Sequence, residues 1–137
     1  MRNGNVLVVD DDDAARLLLI EYLKGHELVN VDGARDGIDA LHLIVTNDYA
    51  VMILDVMMPK MSGIDVLDSL EALTSDPSVK ALQYPPAVLV ITSAEKTVLP
   101  DAAIAQRCPG SVQRVFRKPF DIKELAMCTE RYLRGTA

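Results

Sequence analysis

"VLVVDDDD", residues 6–13, places four apolar residues directly before four aspartates. Strands with one face in water alternate apolar and polar side chains, whereas an unbroken apolar run indicates a strand that is covered on both faces. Two further runs have the same character, AVMIL at 50–54 and AVLVI at 87–91. The three runs therefore predict buried strands of a parallel sheet that has helices on both sides.

Helical patterns lie between and after these strands. Apolar residues recur at three- and four-residue spacing in residues 13–24, 36–46, 62–73 and 121–134. A further helix between Pro100 and Pro109 can only be short, because proline interrupts a helix. The apolar faces predicted for the first two helices are Ala14, Leu17, Leu18 and Tyr22, and then Ile38, Leu41 and Val45. The faces predicted for the third and the last are Ile64, Leu67, Leu70 and Leu73, and then Ile122, Leu125, Thr129 and Leu133.

Weaker runs at 27–31 and 112–116 suit edge strands, and they complete the order βαβαβαβαβα. Alternation of this kind predicts an α/β fold with a parallel sheet and right-handed crossovers. Residues 1–137 are expected to form a single domain with a core from about 5 to 134, a surface excursion at 74–86 and no output domain.

Composition narrows the classes of partner. The chain has 14 Lys and Arg against 20 Asp and Glu, a net charge of −6, and no basic cluster that could hold nucleic-acid phosphates. Apolar runs fall short of the roughly 18 residues that span a bilayer, and the N-terminus MRNGN lacks the apolar stretch of a signal peptide. We therefore expect a cytoplasmic protein without direct nucleic-acid or membrane binding.

Chemically active side chains follow the ends of four predicted strands. They are Asp10 and Asp11, then Asp55, Thr92 and Lys118. Carboxyl ends of parallel strands meet at one edge of the sheet, where such sheets bind ligands. Three carboxylates together repel one another unless one is protonated or a cation joins them, and Mg²⁺ suits such oxygen ligands, with Mn²⁺ as a possible substitute. The set predicts a metal-assisted phosphoryl site with a carboxylate nucleophile.

Structural readings compete with the chemical one at each position. Asp12 and Asp13 are best interpreted as the cap and first turn of the following helix, where aspartate is preferred. Thr92 alone is an ordinary strand residue, and Lys118 alone an ordinary surface charge. The prediction of a site depends on the combination of all these residue types at successive strand ends.

Four motifs in this order, VLVVDDDD, VMILDVMMPKMSG, VLVITSA and VFRKPF, resemble the receiver domain of two-component response regulators. The resemblance extends from about Val6 to Leu133. It implies a flavodoxin-like, doubly wound, five-stranded parallel sheet in the order 2-1-3-4-5 with five flanking helices.

The same resemblance implies individual roles. Asp55 accepts a phosphoryl group from a sensor histidine kinase or a histidine phosphotransfer protein. Thr92 is the switch hydroxyl, Lys118 binds phosphoryl oxygens, and the Lys118–Pro119 peptide bond is expected to be cis. The implied Mg²⁺ ligands are Asp10, Asp11, Asp55 and the main-chain carbonyl of Met57.

The aromatic switch position departs from the family pattern. The family usually has Phe or Tyr three residues before its lysine, where this chain has Val115, and Phe116 comes one residue later. Either the aromatic switch is absent, or an irregular strand re-aims Phe116. Val115 can also be interpreted as an ordinary core residue without a role in switching. The downstream protein partner is not predicted.

Two other functions compete with a phosphorylated receiver. A degenerate receiver would bind partners without phosphorylation. A haloacid-dehalogenase-like phosphatase would use Asp10 and Asp12 as its D-x-D pair, but Ala14 stands where that family has Thr or Val, and Asp55 would have no role. We therefore expect no enzyme beyond self-phosphorylation from a phosphodonor and autodephosphorylation.

Overall fold

The structure, a computed structural model, describes residues 4–25, 30–78 and 84–135. Strands and helices alternate along the chain. The strands are β1 (Asn5–Val9), β2 (Asn30–Ala34), β3 (Val51–Asp55), β4 (Ala87–Thr92) and β5 (Val112–Arg117). The helices are α1 (Asp13–Lys24), α2 (Gly37–Thr46), α3 (Gly63–Thr74), α4 (Asp101–Ala105) and α5 (Ile122–Leu133).

The five strands form one parallel sheet in the order β2-β1-β3-β4-β5, which confirms the predicted order. The unbroken apolar runs became the three central strands, and every residue of β3 and β4 is buried. Helices cover both faces, so alternate residues of one strand enter different cores. Val6 and Val8 pack with α1 and α5, whereas Leu7 and Val9 pack with α2 and α3.

The weaker runs are the two edge strands, as predicted, but their boundaries differ. β2 continues to Ala34, beyond the predicted 27–31, and residues 27–29 lie outside the described residues. In β5, Val112 pairs with Val88 and Arg114 with Leu89, so Gln113 is an extra residue that forms a bulge. Part of the predicted excursion, residues 79–83, also lies outside the described residues.

Aspartate or serine side chains cap the starts of four helices, and the cap of α1 is the predicted Asp12. Asp12 caps α1 by accepting from the N–H groups of Ala14 and Ala15. Ser62 and Asp65 form a capping box at the start of α3. Asp121 caps α5, whereas Glu124 turns to the guanidinium of Arg114 on the neighbouring strand.

The predicted apolar face of α1 is wrong, and that of α2 is only partly right, because Leu41 packs against the core whereas Ile38 and Val45 are exposed. Leu17 and Leu18 are more than half exposed, and α1 buries Leu19 and Leu23 instead. In α2, Ile38 is exposed, and the buried residues are Gly37, Ala40 and Ile44. Residues 17–20 are all apolar, so their spacing alone cannot choose a face, and packing against the sheet selects one. The predicted faces of α3 and α5 contain Leu67, Leu70, Leu125, Thr129 and Leu133, which are buried.

Candidate functional site

The carboxyl edge of the sheet brings together the predicted site residues. β1 lies between β2 and β3, so the chain changes direction across the sheet at this point, where doubly wound folds open a ligand crevice. Asp10 directly follows β1, and its N–H donates to the carbonyl of Ala34 on β2. Asp55 is the last residue of β3, Thr92 the last of β4, and Lys118 directly follows β5.

Three carboxylates form a compact cluster at this edge. Asp10, Asp11 and Asp55 each place an oxygen within 4.8 Å of the others. Asp10 and Asp55 are buried, whereas Asp11 is exposed to solvent. Hard oxygen donors that approach this closely, with one side open to water, suit a small divalent cation that keeps some of its water ligands.

The buried carboxyl of Asp10 has an unusual acidity. Burial raises its pKa from 3.8 to about 6, and the nearby Asp55 contributes in the same direction. The N–H of Asp12, which donates to Oδ1 of Asp10 at 2.9 Å, and the ammonium of Lys118 both oppose this rise in the pKa. The ionised pocket is therefore unfavourable in the protein alone, and a bound cation would relieve the repulsion.

Asp55 is held on both of its oxygens. Oδ1 accepts from the N–H of Met57 at 3.1 Å, and Oδ2 lies 3.4 Å from Nζ of Lys118. The Lys118 side chain is 35% exposed, while that of Asp55 is 4% exposed. A lysine that reaches a buried carboxylate from the solvent side also lies where a group attached to that carboxylate would project.

Thr92 is fully buried beside these residues. Its Oγ1 accepts from the N–H of Ala94 at 3.0 Å, and its carbonyl accepts from the N–H of Lys118 at 2.8 Å. The Lys118–Pro119 peptide bond is cis. Thr92 and Lys118, which are 26 positions apart in the sequence, are thus joined directly through the main chain.

Two supporting residues were not singled out from the sequence. Arg16 of α1 donates from Nη1 to the main-chain carbonyl of Asp10 at 2.8 Å. Gly63 lies so close to the chain after β3 that a Cβ atom there would be 2.4 Å from the carbonyl oxygen of Asp55. The glycine that ends the motif VMILDVMMPKMSG was an available signal, whereas Arg16 carried none, because its contact depends on how α1 packs.

Val115 and Phe116 face opposite sides of the sheet. Phe116 is buried in the core beneath α1 and α5, its ring 6.1 Å from that of Phe120 and 4.5 Å from the guanidinium carbon of Arg114. Val115 packs at the edge of the other core, which contains Ile104 of α4. The bulge at Gln113 therefore does not re-aim Phe116 toward α4, and Val115 stands three residues before Lys118.

An apolar cavity of about 150 Å³ adjoins the carboxylate cluster. Asp10 and Lys118 form its polar end, and Leu18, Phe120 and Ile122 contribute to its apolar wall. Leu18 is 64% exposed, so α1 presents an apolar surface next to the site.

None of the described helices has the length and the apolar character that a membrane crossing requires.

Comparison with known families gives one model that matches most of the chain. The model for the response regulator receiver domain matches residues 6–129. The chain is 33% identical over 135 residues to the response regulator MprA of Mycobacterium sp. (strain KMS), covering 96% of this chain and 51% of that protein. It is 36% identical over 77 residues to the transcriptional regulatory protein SrrA of Staphylococcus aureus (strain NCTC 8325 / PS 47), covering 56% of this chain and 32% of SrrA. The chain thus spans about half the length of MprA, and its match to SrrA covers a smaller share of that protein.

Solved structures show the same fold. The receiver domain of the Francisella response regulator 1452 superposes with a TM-score of 0.81 at 26% identity, over 98% of this chain and 100% of that one. The response regulator protein TrrA of Thermotoga maritima, solved in complex with Mg²⁺-BeF, superposes with a TM-score of 0.73 at 26% identity, over 97% of this chain and 100% of that one.

Proposed function

This chain belongs to the family of response regulator receiver domains, and from that premise we propose that it accepts a phosphoryl group on Asp55 in a Mg²⁺-dependent reaction. The proposed donor is a phosphohistidine on a sensor histidine kinase or a histidine phosphotransfer protein. The phosphorylated domain then changes its affinity for a protein partner.

The observation that carries this proposal is the environment of Asp55. One buried carboxylate has an ammonium 3.4 Å from one of its oxygens and lies in a cluster with two other carboxylates. A nucleophile that takes up a phosphoryl group needs a cation to balance the added charge and an open side for the donor. Lys118 meets the first need, and the exposed Asp11 marks the open side.

The proposed chemistry assigns a separate task to each residue. An oxygen of Asp55 attacks the phosphorus in line, the bond from phosphorus to the donor imidazole nitrogen breaks, and an acyl phosphate forms on Asp55. Lys118 binds an oxygen of the transferred group, and the buried Thr92 hydroxyl donates to another. Water later attacks the acyl phosphate and restores the carboxylate.

The donor set fits a divalent cation. Asp10, Asp11 and Asp55 would hold Mg²⁺, together with the main-chain carbonyl of Met57. When bound, the ion supplies charge neutralisation for the phosphoryl oxygens. TrrA, solved with Mg²⁺-BeF, supports the same ligand class for this chain. The raised pKa of Asp10 supports it as well, because a cation favours the ionised form that burial disfavours.

A protein donor also suits the surface beside the site. Leu17 and Leu18 are exposed on α1, and Leu18 borders the apolar cavity that ends at Asp10 and Lys118. Exposed apolar side chains next to a reactive group favour docking of another protein. The chain's net charge of −6 argues against a nucleic-acid partner for this domain.

Intact-mass measurement tests the proposal. The protein is incubated with acetyl phosphate, with and without Mg²⁺, and the wild type should gain one phosphoryl group only when Mg²⁺ is present. Asp55→Asn should gain none, whereas Asp48→Asn, which changes an exposed loop aspartate, should behave like the wild type.

Two other results would favour the competing functions. A protein that binds Mg²⁺ but gains no phosphoryl group from any donor would act as a phosphorylation-independent binding module. Sustained hydrolysis of a phosphomonoester that depends on Asp10 and survives Asp55→Asn would instead support a phosphatase.

A further inference from the structure

Arg117, the last residue of β5, connects the end of β4 to α4. It is the register partner of Thr92 in the β4–β5 pair, and its side chain is only 19% exposed. Side chains alternate along a strand, so Arg117 leaves β5 on the same face as Val115, the position where the family usually has an aromatic residue. An arginine thus lies beside the switch hydroxyl on the face that lacks the aromatic ring.

The guanidinium of Arg117 binds the segment between β4 and α4 at three points. Nη1 donates to the carbonyl of Ala94 at 3.0 Å, and Nη2 donates to the carbonyl of Leu99 at 2.7 Å. Nη2 also contacts the carboxylate of Asp101, the first residue of α4. A planar guanidinium can hold such separated acceptors at once, which a lysine ammonium cannot do in the same geometry.

These contacts reach Thr92 through one residue. The N–H of Ala94 holds Oγ1 of Thr92, and the carbonyl of Ala94 is held by Arg117. If Thr92 turns its hydroxyl toward a phosphoryl group on Asp55, the N–H of Ala94 must follow or lose its acceptor. A move of Ala94 in turn alters the acceptor that Arg117 binds.

The start of α4 depends on the same arginine. The helix has five residues, and Pro100, its N-cap, makes no side-chain capping bond. The Nε atom of Arg117 is buried without a hydrogen-bond partner among the described residues. A buried donor without an acceptor costs free energy, so the resting arrangement is held less firmly than its three contacts alone would hold it.

We propose that Arg117 is the positioning residue that couples Thr92 to α4 in this domain, in the role that the aromatic residue has elsewhere in the family. In the resting protein it restrains Ala94 and the first turn of α4. Phosphorylation draws Thr92 toward Asp55, weakens the contact between Arg117 and Ala94, and loosens α4. This inference rests on the proposed phosphorylation of Asp55.

Hydrogen exchange of the main-chain amides can measure the restraint directly. Val98, Leu99, Ala103 and Ile104 donate within the segment that Arg117 holds, so their exchange rates report its opening. In the wild type, adding Mg²⁺ and beryllofluoride should raise exchange in residues 94–106 severalfold and leave the amides of β3 unchanged.

Variants at Arg117 separate coupling from simple stabilisation. Arg117→Met should exchange as fast in 94–106 before beryllofluoride is added as the wild type does afterwards, with little further change. Arg117→Lys should be intermediate. Arg107→Met is the matched control, because Arg107 also pairs with an aspartate, Asp68, and follows α4, but does not contact Ala94. It should keep the wild-type response.

The possible results decide between the two proposals. If the wild type gains no phosphoryl group in the mass measurement, the proposed function fails and takes the coupling to Asp55 with it. If the adduct forms but Arg117→Met keeps the full wild-type difference between the two states, the coupling role is overturned while the proposed function stands.

Should Arg117→Met fail to fold, Asp101→Asn, which removes one contact at an exposed carboxylate, should still raise resting exchange in 94–106. An Asp101→Asn protein with wild-type exchange would overturn the role.

Discussion

A Cβ atom at Gly63 would lie 2.4 Å from the main-chain oxygen of Asp55 and 2.7 Å from Cα of Val56. Both neighbours are backbone atoms, which cannot rotate away as a side chain can. The N–H of Gly63 also donates to the carbonyl of Val56 at 2.9 Å. The start of α3 is therefore packed directly against the chain that leaves the proposed phosphoacceptor.

Gly63→Ala should destabilise the fold by about 1–3 kcal/mol, because the added methyl group forces backbone shifts in a packed region. Those shifts act on Asp55, so the rate of phosphorylation by acetyl phosphate should also fall. Gly110→Ala is the matched control, since a Cβ atom there meets no atom within 4 Å, and it should cause no loss of stability or rate. Urea unfolding and the mass measurement give both quantities. Equal behaviour of the two variants would contradict the close-contact explanation.

The stability of the metal-free protein should fall as the pH rises toward 7. The pKa of Asp10 is about 6 in the folded protein, above its ordinary value of 3.8, so the folded state binds a proton more tightly than the unfolded chain. This contribution is complete below about pH 4 and is lost as the pH rises through about 6. The loss is at most about 3 kcal/mol, since one pKa unit corresponds to about 1.4 kcal/mol. Unfolding measured between pH 4.5 and 7.5 in EDTA checks it.

Asp10→Asn should be more stable than the wild type at pH 7 without metal, by roughly 1–2 kcal/mol, and should show a flatter dependence on pH. Asp48→Asn should retain the wild-type slope. A wild-type slope in Asp10→Asn would mean that another group causes the pH dependence.

Magnesium should stabilise the wild type at pH 7 by mass action. At a concentration about 100 times the Kd, the expected gain is about 2.7 kcal/mol, and it appears as a rise in Tm. Asp10→Asn and Asp55→Asn should show a smaller rise, because each removes a proposed ligand. If millimolar Mg²⁺ leaves the Tm of the wild type unchanged, the proposed metal site is wrong.

Lys118→Met should separate metal binding from phosphoryl transfer. Removing the ammonium leaves the three carboxylates with less compensating charge, so Mg²⁺ should bind at least as tightly as in the wild type. The rate of phosphorylation should fall about 10²-fold, the usual effect of removing a group that stabilises developing charge. Lys123→Met, at an exposed position on α5, should change neither quantity. Loss of Mg²⁺ binding in Lys118→Met would contradict this division of roles.

Phe116→Leu should lower stability by about 1–2 kcal/mol without affecting phosphorylation or the response of α4. Phe116 packs in the core beneath α1 and α5, and its ring meets Phe120 edge to face, so its loss is a packing loss. Urea unfolding and hydrogen exchange with beryllofluoride provide the two measurements. A folded Phe116→Leu protein in which α4 no longer responds would show that Phe116 takes part in switching.

Strand burial was the most predictable part of the fold. Three unbroken apolar runs predicted β1, β3 and β4, and their alternation with helical patterns predicted a parallel sheet, because few topologies satisfy that order. The sheet order itself followed from the resemblance carried by the motifs. The cap at Asp12 was also predictable, since a cap acts on amides two or three residues away.

Helix faces were less predictable, and α1 shows why. Its residues 17–20 are all apolar, so a helix through them can bury either of two faces with similar apolar area. Packing against the sheet buries Leu19 and Leu23, and it leaves Leu17 and Leu18 exposed on the surface next to the site. Phe116 is a similar case, because a strand side chain can face either core and the neighbouring strand decides which.

The sequence by itself determined which residue types stand at the strand ends, and with them the carboxylate cluster, Thr92 and Lys118. Parallel topology brings all strand ends to one edge, so no knowledge of side-chain packing was needed. Only the tertiary structure decided that Gly63 packs on Asp55, that Phe116 turns away from α4, and that Arg117 joins Ala94, Leu99 and Asp101. These contacts join segments that are far apart in the chain, and local periodicity carries no information about how such segments meet.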